Sequence, residues 1–164
     1  MVPIRKILVP IDFSDLSRAA LRHAARVARW TSAEVHAIHV VPARSTLWAL
    51  APTLGPHTPE SGRWRSEREV EEFVQAVAAR GGVWSVHVRE GEPMHEIVDL
   101  ARTSGADLIV MGTHGRSGLK RLVLGSVAEG VLRRTPCPVL TVAHAHDAEG
   151  VEERPLRRLS LIHI

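Results

Sequence analysis

Residues 112–126 read GTHGRSGLKRLVLGS, a composition suited to holding an anion. Glycine stands at 112, 115, 118 and 125, and Arg116, Lys120 and Arg121 supply positive charge. Lacking a Cβ, glycine lets backbone N–H groups approach an anion closely and admits positive φ. An apolar run, LIVM at 108–111, leads straight into this stretch, and Ser126-x-x-Glu129 at its far end reads as a capping box opening a helix. A strand, a glycine-rich turn and a helix start are the parts of a phosphate cradle, because the first N–H groups of the helix point outward and its dipole favours negative charge. His114, inside the loop, reads either as a phosphate contact or as a solvated residue. A second candidate is Pro10-Ile11-Asp12, where another apolar run ends in a carboxylate. Asp12 can meet a ligand or a metal there, or simply place negative charge at the start of the next helix.

The elements that must position these groups alternate. KILVPI at 6–11 reads as a buried strand that should finish near Pro10, which has no N–H for a ladder. Ser14 suits an N-cap, and Leu16, Ala20, Ala24, Val27 and Ala28 follow at helical spacing. EVHAIHVV at 34–41 is a second strand. Residues 43–65, with Pro52, Pro56 and Pro59, read as a long loop, either a lid or a surface insertion. Ser66-x-x-Glu69 is a capping box for a helix carrying Val70, Phe73, Val74, Val77 and Ala78 and stopped by Gly81-Gly82. VWSVHVR at 83–89 alternates with period two. Pro93 opens a helix with Met94, Ile97, Val98 and Ala101 on one stripe and Gly105 at its end, and residues 138–143 form a last strand. The order predicts a single-domain α/β fold, an open parallel five-stranded sheet with helices on both faces. Such sheets bind ligands beyond the carboxyl ends of strands where strand order reverses. Pro10–Asp12 and the glycine loop therefore make one site only if the first and fourth strands are neighbours.

Composition narrows the function class. The chain has 164 residues, 45% hydrophobic and 24% charged, an ordinary globular balance. No apolar run approaches the roughly 18 residues of a membrane span, so no membrane partner is expected. The N-terminal apolar stretch runs into Asp12 and Asp15, unlike a signal peptide, and a single cysteine allows no internal disulfide. A cytoplasmic location is the expectation. The net charge is +3, with basic residues mixed among glutamates, and aromatic residues are 4% with no tyrosine. That pattern suits a solvated face and argues against a nucleic-acid partner.

Familiar catalytic and nucleotide motifs are missing: there is no G-x-x-x-x-G-K-[ST], G-x-G-x-x-G, G-x-S-x-G or H-E-x-x-H. His36 and His39 resemble a metal pair in spacing but point to opposite faces of a strand, so a shared metal is not the expectation. Cys137, between Pro136 and Pro138, reads as a packed thiol, with Arg133 and Arg134 near enough in sequence to keep a reactive thiolate open. What the chain does carry is G-x2-G-x9-G-S, at Gly112, Gly115, Gly125 and Ser126. In that spacing, in the opening KILVPIDFSD and in the closing TPCPVLTVA, the chain resembles the universal stress protein family in its nucleotide-binding branch, over about residues 3–143.

The resemblance implies a Rossmann-like fold of the adenine nucleotide alpha hydrolase type, with a family domain over residues 1–146 and a C-terminal tail over 147–164. It implies ATP as ligand, with Mg²⁺ assisting. Pro10, Ile11 and Asp12 would lie beside ribose and adenine, Asp12 also near the metal, and Val40 would offer its backbone to the adenine edge. Met111, Gly112, Thr113, His114, Gly115, Arg116, Ser117 and Gly118 would wrap ribose and phosphates, and Gly125, Ser126 and Val127 would hold the distal phosphates. It also implies a homodimer paired through the last strands and a regulatory role in stress response toward an unidentified client protein. A slow ATPase, a self-phosphorylating phosphotransferase and a non-nucleotide dimer module are the alternatives. No residue reads as a water-positioning base, so binding has more support than catalysis. The apolar end of the tail, residues 159–164, could instead cover the edge of the last strand.

Overall fold

The computed structural model describes residues 3–42, 59–78, 84–113, 124–143 and 160–162 of the chain. Within them run β1 (Lys6–Ile11), α1 (Asp15–Thr31), β2 (Glu34–Pro42), α2 (Pro59–Ala78), β3 (Trp84–Gly91), α3 (Pro93–Ser104), β4 (Leu108–Gly112), α4 (Ser126–Arg134), β5 (Val139–Val142) and β6 (Ser160–Ile162). The sheet order is β3-β2-β1-β4-β5-β6. Strands β1 to β5 pair in parallel, as the alternation requires.

Period-two alternation divides the core into two layers. Ile7, Val9 and Ile11 of β1, with Val35 and Ala37 of β2, pack against Ala20, Leu21 and Ala24 of α1 and Val70, Phe73 and Val74 of α2. Leu8, Ile38, Ile109 and Met111 point the other way, onto Ile97, Val98 and Ala101 of α3 and Ala128 and Val131 of α4. Central strands buried on both faces read in sequence as continuous apolar runs, which is why KILVPI and LIVM carry no alternation.

The reversal of strand order falls at β1, between β2 and β4. The β1–β2 pairing continues to Ile11↔His39, but the β1–β4 pairing ends at Leu8↔Ile109. Past Leu8 no register pair joins β1 to β4. Pro10, with no N–H to donate, lies past this last pair and inside β1, so the strand runs one residue further than its proline suggests.

Two expectations change. Helix α2 begins at Pro59 rather than at Ser66, so residues 59–65 belong to the helix and not to the long loop. Proline is compatible with a first helical turn, where its missing N–H has no partner to lose, and Gly62 is tolerated at about 1 kcal/mol relative to alanine. Residues 43–58 of that loop, and Gly81 and Gly82, lie outside the described residues. The sheet also gains a sixth strand, antiparallel. β6 pairs with β5 through Val139↔Ile162, Leu140↔Leu161 and Thr141↔Ser160. The strand expected at the open edge is thus covered by the chain's own C-terminal segment, and β3 and β6 are the outer strands.

An uncovered strand edge presents unpaired N–H and C=O groups that recruit other chains. Truncation after Ala148 removes β6 and should raise self-association, read as a higher average mass by light scattering. The same mass for full and truncated chains would show that β6 does not guard this edge.

Candidate functional site

The β1–α1 turn forms one half of the site. Asp12, half-buried, accepts hydrogen bonds at Oδ1 from the Ser14 N–H (3.0 Å) and the Ser14 hydroxyl (2.5 Å). Ser14 in turn caps α1, its Oγ accepting from the Ser17 N–H at 3.1 Å. The carboxylate therefore orders its own turn, as aspartates do when they bond to backbone two residues on. Between them Phe13 sits at φ 65°. A left-handed conformation costs a non-glycine residue about 1–2 kcal/mol, so surrounding contacts must hold it. The Phe13 ring packs edge-on against His39 (centroids 4.9 Å apart) and Phe73 (5.4 Å). The Arg18 guanidinium lies over the Phe73 ring, 4.5 Å from its centre. His39 Nδ1 is 2.7 Å from the Ile11 carbonyl oxygen, and since a carbonyl only accepts, Nδ1 carries the proton.

The β4–α4 connection forms the other half. The Thr113 N–H donates to the Val142 carbonyl at 3.0 Å, tying the end of β4 to β5. The Gly125 N–H donates to the Thr113 carbonyl at 2.7 Å, joining the two ends of the glycine loop. Helix α4 then starts at Ser126, with Gly125 as its N-cap and no side chain capping it. The capping box expected at Ser126 and Glu129 does not form, because Gly125 occupies the N-cap position and Ser126 is already the first helical residue. The Glu129 carboxylate instead accepts from Arg133 at 2.8 Å. Gly125 lies at φ −63° and ψ 150°, a conformation open to any residue, and Gly112 is not among the glycines with positive φ either. At these two positions glycine provides clearance rather than conformational freedom. His114, Gly115, Arg116, Ser117 and Gly118 lie outside the described residues, as do Lys120 and Arg121.

Strand alternation decides which atoms each site residue can offer. Val40 and Val127 are half-buried on the α3/α4 side, packed against the layer that holds Met111. The Met111 side chain is itself core, 4% exposed, so only its backbone faces a ligand at the strand end. The Ile11 side chain is buried in the opposite layer, and it too has only backbone to offer. Pro10 shares the parity of Leu8, on the α3/α4 side. Ser126 is exposed at the uncapped helix start. Pro10–Asp12, Met111–Thr113 and Gly125–Val127 thus gather at neighbouring strand ends, with Val40 on the strand beside β1. One half presents a carboxylate and the other presents backbone N–H donors. That combination suits a ligand with an anionic end and a hydroxylated or metal-bearing middle. Among the described residues no group of three or more His, Cys, Asp or Glu could hold a metal by itself. A divalent ion beside Asp12 would take its remaining ligands from phosphate and water, which is how Mg²⁺ is commonly held.

Fold and site together define an open, doubly wound α/β domain with its candidate site at the strand-order reversal. The universal stress protein family matches residues 3–143, and the chain belongs to that family. The universal stress protein MJ0531 of Methanocaldococcus jannaschii is 40% identical over 147 residues, covering 84% of this chain and 81% of that protein. The solved structure of MJ0577, from the same organism, superposes with a TM-score of 0.73 at 30% identity, covering 87% of this chain and 98% of that one. The universal stress protein from Archaeoglobus fulgidus in complex with dAMP superposes with a TM-score of 0.62 at 25% identity, covering 85% of this chain and 98% of its own.

The remaining candidate groups separate from the site. His36 and His39 do face opposite ways. His36 meets His87 of β3, Nδ1 to Nε2 at 2.9 Å, with the rings stacked, and its own Nε2 lies 3.5 Å from Glu34 Oε2. Arg89 on the same strand binds Asp99 at 2.6 Å and Glu96 at 3.2 Å, and the hydrogen bond to Asp99 leads in raising its pKa. Burial, opposed by the Thr135 hydroxyl, raises the Cys137 thiol, so this cysteine is a packed thiol without thiolate character.

Burial first, then the positive charge of His36, Arg89 and Lys6, pulls the His87 pKa below the ordinary value of 6.5. A single proton bridges the two imidazoles, and doubly protonated rings would repel. Below pH 6.5 the unfolded chain takes up a proton at His87 that the folded chain resists, so this contribution to stability is complete above that pH and declines as the solution is acidified. Urea unfolding should therefore show stability falling from pH 7.5 to pH 5, with a shallower fall in His87→Phe. Equal slopes for both proteins would remove this pair as a source of pH dependence.

Proposed function

We propose that this protein binds an adenine nucleotide, ATP with Mg²⁺, at the ends of β1 and β4. In this reading it acts as a nucleotide-responsive regulator of a stress response, in the cytoplasm and as a homodimer. The observation that carries the reading is the uncapped N-terminus of α4, held against the end of β4 by the Gly125 N–H to Thr113 carbonyl bond. Open helix N–H groups beside a glycine-rich, basic connection favour a polyphosphate over a neutral ligand. The dAMP held by the Archaeoglobus fulgidus relative supports adenine as the base. Family membership supports the stress context. No described helix is long and apolar enough to cross a membrane.

Each residue then has a role. Pro10 and the Val40 backbone border the base, and the Ile11 backbone and Asp12 meet the ribose or the metal. Met111, Gly112 and Thr113 line the ribose with backbone atoms. Gly125 leaves room for the distal phosphates at the helix start, and Ser126 and Val127 give them N–H donors. His114, Gly115, Arg116, Ser117 and Gly118 complete the wrap around the phosphates, by the spacing of the motif in sequence. With β6 on β5, the homodimer of this proposal meets through β6 or another surface, or displaces β6.

Calorimetric titration with ATP and Mg²⁺ should give saturable binding and a higher melting temperature. No response at millimolar ATP would sink the proposal. Asp12→Ala should weaken binding. Gly125→Val should fold normally, because the Gly125 backbone suits any residue, yet lose about tenfold or more in affinity as its Cβ crowds the phosphate. With labelled ATP, turnover should be slow or absent. Several turnovers per minute, abolished in Asp12→Ala, would make the protein an ATPase instead.

A further inference from the structure

We infer that His39 is a positioning residue for the nucleotide site, acting through the Asp12 turn from the opposite face of the sheet. This rests on the proposed role of Asp12 in binding. Alternation along β2 puts Val40 on the α3/α4 side and turns His39 toward α1 and α2. His39 therefore reaches the site only through other residues. It holds the turn on both sides of Asp12. Before Asp12, its Nδ1–H donates to the Ile11 carbonyl at 2.7 Å. After Asp12, its ring takes the edge of Phe13 at 4.9 Å, the residue in the left-handed conformation. The β1–β4 pairing ends at Leu8↔Ile109, so near Ile11 the chain is no longer fastened to β4, and β2 is the strand that can hold it. Strained backbone persists only where its surroundings over-determine it, and here His39 supplies a hydrogen bond and a ring contact within three consecutive residues. The outcome is an Asp12 backbone fixed in direction before any ligand arrives, and fixed groups bind more tightly because less order remains to be imposed.

The substitution series follows from where the donor sits. The amide nitrogen of His39→Asn stands at the same bond distance from Cγ as Nδ1 and can still donate to Ile11. The amide of His39→Gln stands one bond further out, and His39→Leu has no donor. Calorimetric titration with ATP and Mg²⁺ should show His39→Leu and His39→Gln weakened about three- to tenfold, the worth of one hydrogen bond, with His39→Asn recovering most of the loss. Adding His39→Leu to Asp12→Ala should cost nothing further, since the effect passes through Asp12. Without nucleotide, the Ser14 amide resonance of His39→Leu should shift, because that N–H donates to Asp12. Thermal melts confirm folding, and His39→Asn keeps the test open if His39→Leu fails to fold. Wild-type affinity in both His39→Leu and His39→Gln, or an equal loss with and without Asp12, would overturn the role of His39 alone. Absence of ATP binding by the wild-type protein would overturn the reading of the site together with it.

Discussion

The position of β1 governs everything that follows. It is buried on both faces and paired on both sides, to β2 through its full length and to β4 only at its start. Parallel strands joined through helices cross over with a right-handed turn, so reversing the direction of winding sends later helices to the opposite face. The chain leaves β1 through α1 on one side and returns to β4 through α3 on the other. No helix can cover the gap where the winding reverses. The carboxyl ends of β1 and β4 lie at that reversal, and the groups placed there are not covered by the helices that the two windings send to opposite faces.

The two halves of the site are built by different means. The Asp12 half is over-determined: Ser14 fixes the carboxylate, His39 fixes the preceding carbonyl, and Phe13 is wedged by two rings. The α4 half is under-satisfied, with helix N–H groups that no side chain caps. A rigid carboxylate and a set of waiting donors are complementary to opposite parts of a nucleotide, and the asymmetry follows from local sequence. Ser14 follows Asp12 at the spacing for a turn and a cap. Gly125 stands where a capping side chain would be, and Ser126 comes one residue too late to supply it.

Alternation in the strands divides labour among neighbours in sequence. Ile11 and His39 serve the α1/α2 side, while Pro10 and Val40, their immediate neighbours, serve the site. The histidines follow the same logic. His36 and His39 are close in sequence but never meet, and each finds its partner on another strand, His36 with His87 and His39 with the Ile11 carbonyl.

The sequence by itself determined the alternation of strands and helices, the parallel pairing and the glycine–serine spacing that carries the family. These depend on local periodicity and on glycine, proline and serine at fixed offsets, which need no knowledge of distant contacts. It misjudged the start of α2 and the cap of α4, because Ser66-x-x-Glu69 and Ser126-x-x-Glu129 fit a capping pattern whether or not the preceding residue is already helical or already the cap. Only the tertiary structure decided that β4 lies beside β1, that β6 folds back on β5, and that His39 grips the Asp12 turn. Nothing in residues 34–41 marks His39 as different from His36. The distinction arises because strand order brings one of them beneath the Ile11 carbonyl and the other beside His87, and pairing between distant segments is fixed by packing and winding, not by any local pattern.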